Sequence, residues 1–180
     1  MNKYVITGGP GAGKTSVITY LQNQGIAILP EAARMVIEEQ EIMQGDLVPW
    51  KNRTGFQRAI FQRQKDLEAR INGQPTFLDR GFGDNIAYYT LDGTDIPSDE
   101  MDAAKNANYE AIFLLDPLPK YVNDRARKED EQTAQKIHQA IATAYERLGY
   151  TVIRVPVMPI EKRGDYILEK SIEICQEVTK

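Results

Sequence analysis

The chain has 180 residues, of which 42% are apolar and 27% charged, enough apolar residues for the core of one domain. Its net charge of −4 and pI near 5.2 argue against a general nucleic-acid binder, which carries a basic field. No apolar run approaches the roughly 20 residues that span a bilayer, no basic-then-apolar leader follows Met1, and Cys175 has no cysteine to pair with, so the expected location is a reducing cytoplasm.

Short apolar runs alternate with longer amphipathic ones. Tyr4-Val5-Ile6-Thr7 predicts a buried strand ending in glycines. Val17, Ile18 and Leu21 have helical spacing from Lys14 to about Gln24, with Gly25 as C-cap. Ile26 to Leu29 predicts a second strand, stopped by Pro30, and Glu31 to about Met43 a second helix carrying Val36, Ile37 and Ile42. Gly45 to Arg53 reads as a loop. Thr54 is the expected cap of a long helix reaching Asn72. Thr76 to Asp79 predicts a third strand and Asp84 to Leu91 a short helix. Asp92-Gly93 is a turn, and Ser98 the expected cap of another helix. Ala111 to Leu115, apolar throughout, suits a strand in a sheet covered on both faces. Glu131 to Leu148 predicts a long helix, Tyr150 to Val155 a fifth strand and Glu161 to about Val178 a final helix. Strands alternating with helices imply an α/β fold with parallel pairing and right-handed crossovers.

Gly8-Gly9-Pro10-Gly11-Ala12-Gly13-Lys14-Thr15 fits G-x-x-x-x-G-K-[ST] without mismatch, between a strand and a helix. Backbone N–H groups there can wrap a polyphosphate, and the helix aims its positive end at the same anion. Lys14 would add charge at the β- and γ-phosphates, and the Thr15 hydroxyl suits Mg²⁺. Ligands of parallel sheets sit at the carboxyl ends of strands. That rule nominates Glu31 after the second strand, Asp79 ending the third, and Asp116 ending the fourth. Asp79 can join the Mg²⁺ shell or take a proton from an attacking hydroxyl, Arg80 can reach phosphate, and Glu31 with Arg34 can bind an acceptor. Asp116 precedes Pro117 and equally suits a simple turn. Arg125 and Arg127 lie in the charged stretch 120–130, within an expected lid of about 117–130, where they would neutralise a transferring phosphoryl group. His138 reads as structural. Trp50, with Lys51 and Arg53 nearby, suits either base stacking or loop packing. Tyr88 and Tyr89 read as core and rim packing.

With these segments placed, the chain resembles the compact P-loop kinases, and most closely the AAA-like ATPase/kinase family that includes ribosylnicotinamide kinase domains. The matching residues are Gly8 to Ser16, Glu31-Ala32-Ala33-Arg34, Phe77-Leu78-Asp79-Arg80-Gly81, Leu115-Asp116-Pro117 and Asp124-Arg125-Ala126-Arg127. The resemblance implies a three-layer P-loop NTPase fold, with a five-stranded parallel sheet in order 2-3-1-4-5 and helices on both faces. It also implies an ATP donor bound by Gly8 to Ser16, Mg²⁺, and a small acceptor. Similarity to deoxynucleoside kinases would make Glu31 the base. The expectation is a single kinase-like domain over 1–180, without an attached adenylyltransferase or DNA-binding domain.

Three functions compete. The first is a kinase of a nucleoside, nucleotide or other small hydroxyl compound, with Glu31 or Asp79 as base. The second is an ATPase switch without a small acceptor. Against a GTPase switch, D-x-x-G is missing after the third strand and N-K-x-D after a later one. The third, a kinase of nucleic-acid ends, would need a basic channel that the acidic balance disfavours.

Overall fold

The computed structural model describes residues 2–119 and 131–178. Its elements, in chain order, are β1 (Lys3–Thr7), α1 (Lys14–Asn23), β2 (Ile28–Leu29), α2 (Ala32–Met43), α3 (Arg53–Glu68), β3 (Thr76–Asp79), α4 (Phe82–Asp92), α5 (Ser98–Lys105), β4 (Tyr109–Leu115), α6 (Glu131–Arg147), β5 (Val152–Val155) and α7 (Ile160–Val178). The five strands are parallel and lie in the order β2-β3-β1-β4-β5, as expected.

Successive residues of a strand face opposite ways, and here both faces are covered. Val5, Leu78, Ile112 and Leu114 join Phe82 and Ile86 of α4 and Ile137, Ile141 and Tyr145 of α6. Tyr4, Ile6, Phe77, Phe113 and Leu115 join Val17, Ile18 and Leu21 of α1 and Ile167 of α7. Two-sided burial explains why β4 reads as an unbroken apolar run. Each fully buried Leu, Ile or Phe contributes roughly 1.5–3 kcal/mol. A third cluster, Ala32, Val36, Phe56 and Ile60, packs α2 on α3 beyond the sheet edge.

Several boundaries differ from expectation. The cap of α3 is Asn52, whose Oδ1 accepts from the Gly55 amide at 2.9 Å; Thr54 already lies inside the helix. Both types can cap, and the Val48 carbonyl, which accepts from the Lys51 and Asn52 amides, closes the preceding turn so that Asn52 arrives first. α3 ends at Glu68, short of Asn72. Pro97, not Ser98, occupies the N-cap position of α5. Both β2 and β5 are shorter than their apolar runs, because only Ile28–Leu29 and Val152–Val155 find ladder partners. Ile42 is 84% exposed, since α2 packs only through its first turns.

The register aligns the functional ends. Ile6 of β1 pairs with Asp79 of β3, and Thr7 with Leu114 of β4. Gly8, Arg80 and Asp116 therefore leave the sheet at one edge.

Candidate phosphotransfer site

The loop from Gly8 to Lys14 curls between β1 and α1. Gly13 adopts φ +85° as the N-cap residue of α1, a left-handed conformation that side chains rarely take. At Gly9 the limit is space: a Cβ would meet the Ala134 carbonyl at 2.8 Å and the His138 Cβ at 2.9 Å. The Lys14 ammonium donates to the Gly8 and Gly9 carbonyls at 2.8 and 3.3 Å, so it sits over the hollow of the loop. Burial and the nearby Arg80 charge lower its pKa to about 8, against the pull of Asp79 and Glu31. Thr15 and Ser16 follow, exposed in the first turn of α1.

Two braces hold this loop that the sequence motifs do not reveal. The Gly9 amide donates to His138 Nδ1 at 3.3 Å, which fixes the neutral ring's proton on Nε2. Burial and Arg154 depress the pKa of this ring. His138, read as structural, thus touches the phosphate loop itself. Arg163 of α7 is 2% exposed. Its guanidinium donates to the carbonyls of Ala12 at 2.6 Å, Asp116 at 2.7 Å and Pro156 at 2.9 Å. It ties the phosphate loop to the chain leaving β4 and β5. Asp116 contributes this carbonyl, and its carboxylate lies 3.4 Å from Arg154.

The Asp79-Arg80-Gly81 run turns the chain from β3 into α4. Arg80 takes φ +70°, a conformation that costs a non-glycine residue about 1–3 kcal/mol unless its surroundings enforce it. Here they do. Arg80 Nε donates to Glu31 Oε1 and Nη1 to Asp84 Oδ1, each at 2.8 Å, and its amide bonds the Ile6 carbonyl. Asp84, 2% exposed, is the hub: Thr7 Oγ1 donates to its Oδ1 and the Tyr145 hydroxyl to its Oδ2, both at 2.7 Å. The sequence suggested Asp84 only as a helix start; its place one turn after Arg80 was the available signal. Glu31 faces Arg80 and not Arg34, which is exposed. Burial works against ionised Glu31, but Arg80 and Lys14 outweigh it and hold the carboxyl below its ordinary range.

Asp79 behaves oppositely. Its Oδ1 is buried without a hydrogen-bond partner among the described residues, and burial with the Glu31 charge pushes its pKa up to about 6. A cation beside it would satisfy that oxygen. Among the described residues no group of three or more acidic, His or Cys side chains forms a metal cage. Mg²⁺ with a nucleotide needs none, since phosphates and water supply most ligands. Thr15 and Asp79 therefore fit such an ion.

Beside this charge cluster lies a cavity of about 240 Å³. Glu31, Arg80 and Asp84 line one part of it, Phe56, Ile60 and Tyr88 another. Tyr89 is buried in the core. Trp50 is 59% exposed and is not among the cavity's lining residues; Lys51 pairs with Asp46, and Arg53 with Asp92. Arg125, Arg127 and nearly all of the expected lid lie outside the described residues. No helix among the described residues is long and apolar enough to cross a membrane.

Residues 3–163 match the family described as AAA domain. None of the curated proteins matches the sequence. The fold is similar to that of NadR protein in complex with NAD and AMP-PNP, at a TM-score of 0.63 and 16% identity over 94% of this chain and 49% of that one. It is similar to NadR protein in complex with NR, at 0.61 and 16% over 86% and 45%. A third likeness is shikimate kinase from Acinetobacter baumannii in complex with shikimate, at 0.60 and 17% over 96% and 93%. The chain spans about half the length of the NadR structures and nearly all of the shikimate kinase.

Proposed function

The chain belongs to the AAA-domain family, and from that premise we propose that it is a single kinase-like domain transferring the γ-phosphoryl group of ATP to a hydroxyl of a small acceptor. The observation that carries this reading is the cavity beside the charge cluster. It shares Glu31 and Arg80 with the charge cluster around Lys14 and Asp79, so an acceptor there would abut the end of a triphosphate held by residues 8–16. The ligands of the similar structures, among them AMP-PNP, NR and shikimate, fit the same pairing of nucleotide with small molecule.

In this reading the loop amides and Lys14 bind the β- and γ-phosphates, and with a triphosphate in place the ammonium turns from the Gly8 and Gly9 carbonyls to phosphate oxygen. Thr15 and Asp79 would hold Mg²⁺, which would supply charge neutralisation to the triphosphate. The acceptor oxygen forms the new bond to phosphorus as the bond to ADP breaks, and its proton passes to a carboxylate. Glu31 suits that role better than Asp79, because Glu31 lines the cavity, with its Oε1 held by Arg80, while Asp79 is committed to the ion. Arg80 orients Glu31 and Asp84 at the acceptor, and Arg34 lies exposed outside. Arg125 and Arg127, known from sequence alone, supply positive charge to the transferring group.

ADP release should rise at least tenfold over the ATP-only rate with one member of a panel of nucleosides, nucleotides and small hydroxyl compounds, shikimate included. Lys14→Ala should abolish that rise. A panel without any stimulation, with ATP hydrolysis intact, overturns the kinase reading in favour of a nucleotide switch.

A further inference from the structure

We propose that a cavity walled by α4, α5 and α6, apart from the phosphotransfer site, binds a small amphiphilic anion: a free carboxylate carried on an alkyl chain. The cavity has a volume of about 640 Å³ and shares no lining residue with the one beside Glu31 and Arg80. That volume falls in the range of small-molecule sites.

The first argument is the floor. Ile86 of α4, Ile96, Met101 of α5, and Ala140 and Leu148 of α6 supply apolar surface. The neutral polar groups on the wall are already engaged. Thr90 Oγ1 donates to the Ile86 carbonyl at 2.8 Å, and Gln139 Nε2 to Thr143 Oγ1 at 3.4 Å. A hydrocarbon body therefore meets little that needs water, and each methylene it buries is worth about 0.8 kcal/mol in other sites.

The second argument is charge. Lys105, Lys136 and Arg147 line this cavity, and no carboxylate does among the described residues. The nearby acids Asp102 and Glu146 are exposed and lie outside the lining. No ion pair among the described residues engages the three cations. This is a local excess of positive charge on a chain whose net charge is −4. Its arrangement has a direction. The Tyr150 hydroxyl donates to the carbonyls of Ala104 and Lys105 at 2.6 and 3.3 Å, which brings the end of α5 beside the end of α6. Lys105 and Arg147 thus belong to the same end of the cavity. Lys136 lies about 16 Å further along α6, at a rise of roughly 1.5 Å per residue. A carboxylate placed between Lys105 and Arg147 takes charge-assisted hydrogen bonds, and its chain runs over the apolar floor. The aliphatic stems of the two cations can cover the first carbons of that chain while their heads stay wet.

The test is calorimetric titration of the full chain with decanoate, below its micelle concentration. Decanol, decyltrimethylammonium and butyrate are the comparison probes. Decanoate should bind one per chain. Decanol and the cationic surfactant should bind about tenfold or more weakly, for want of the charged contact. Butyrate should bind at least about a hundredfold more weakly, since it buries fewer methylenes. Lys105→Gln with Arg147→Gln, both at exposed positions, should weaken decanoate roughly tenfold. Ala140→Phe, which fills the floor, should weaken it too, and melting temperature with AMP-PNP affinity reports that each variant is folded. Decanoate binding should persist with AMP-PNP and Mg²⁺ present. No binding, several decanoates per chain, equal binding of decanol, or a double variant that binds like wild type would each overturn the inference. Displacement of decanoate by AMP-PNP would assign it to the phosphate loop and overturn it as well. So would a dimer in light scattering that the double variant dissolves, because a second copy would then cover this face. None of these outcomes bears on the kinase reading, which the ADP-release panel tests by itself.

Discussion

Asp79→Asn should stabilise the ligand-free protein above pH 6 while removing the activity proposed for it. Burial and Glu31 push the Asp79 carboxyl up to about 6, against Arg80 and Lys14, whereas an aspartate in an unfolded chain titrates at about 3.9. Between those values the native state holds more proton than the unfolded chain. Stability therefore falls as pH rises from about 4 to about 6, and above that window the penalty stays constant. An interval of about two pH units at ~1.36 kcal/mol each sets an upper bound near 3 kcal/mol. The asparagine NH₂ would itself be a donor in a tight place, offsetting about 1 kcal/mol. A net gain of roughly 1–2 kcal/mol remains, worth about 2–8 °C in Tm for a chain of this length. Thermal melts of both proteins in EDTA, without nucleotide, from pH 4 to 8 measure it directly. The variant's advantage should be near zero at pH 4, grow through pH 5 and 6, and level off above. Equal or lower melting of the variant at pH 8, or an offset that ignores pH, would refute the view that an uncompensated buried carboxyl is held at the end of β3.

Two further outcomes test the framework around the site. Arg163→Lys keeps a positive charge but loses the fork that joins the Ala12, Asp116 and Pro156 carbonyls; steady-state kinetics should show KM for ATP rising roughly tenfold with kcat changed less, and an unaltered KM would mean that the brace does not shape the phosphate loop. Asn52→Ala should cost about 1 kcal/mol in urea melts as the cap of α3 is lost, while Thr54→Ala should stay within about 0.5 kcal/mol; the reverse order would return the cap to Thr54.

The sheet was legible because its causes are local. Apolar runs of strand length, glycines and prolines at their ends, and helical spacing between them depend on neighbours in the chain, and parallel pairing follows from their alternation. The strand order 2-3-1-4-5 came through family resemblance. The phosphate loop was equally plain, since one contiguous segment supplies its amides, its lysine and its hydroxyl. Glu31, Asp79 and Arg80 could be nominated because each lies at the carboxyl end of a strand. Element edges were less secure: Asn52 and Thr54 are both competent caps, and the choice depended on how the 45–52 loop closes.

What only the tertiary structure decided is the partnership of side chains far apart in the sequence. Arg80 belongs to Glu31 and Asp84 because β2, β3 and α4 meet at one edge, an arrangement the nearer residue Arg34 cannot match. His138 and Arg163 reach the phosphate loop from helices 129 and 151 residues away. That oxygens of Asp79 and Gln57 lack partners among the described residues is visible only once the segments around them are packed. Composition and spacing determine which segments fold and where an anion binds, because those depend on backbone geometry within a short stretch. Charge pairing, desolvation and cavity shape depend on which segments come to lie against each other, and that is settled when the sheet closes its order and the helices cover it.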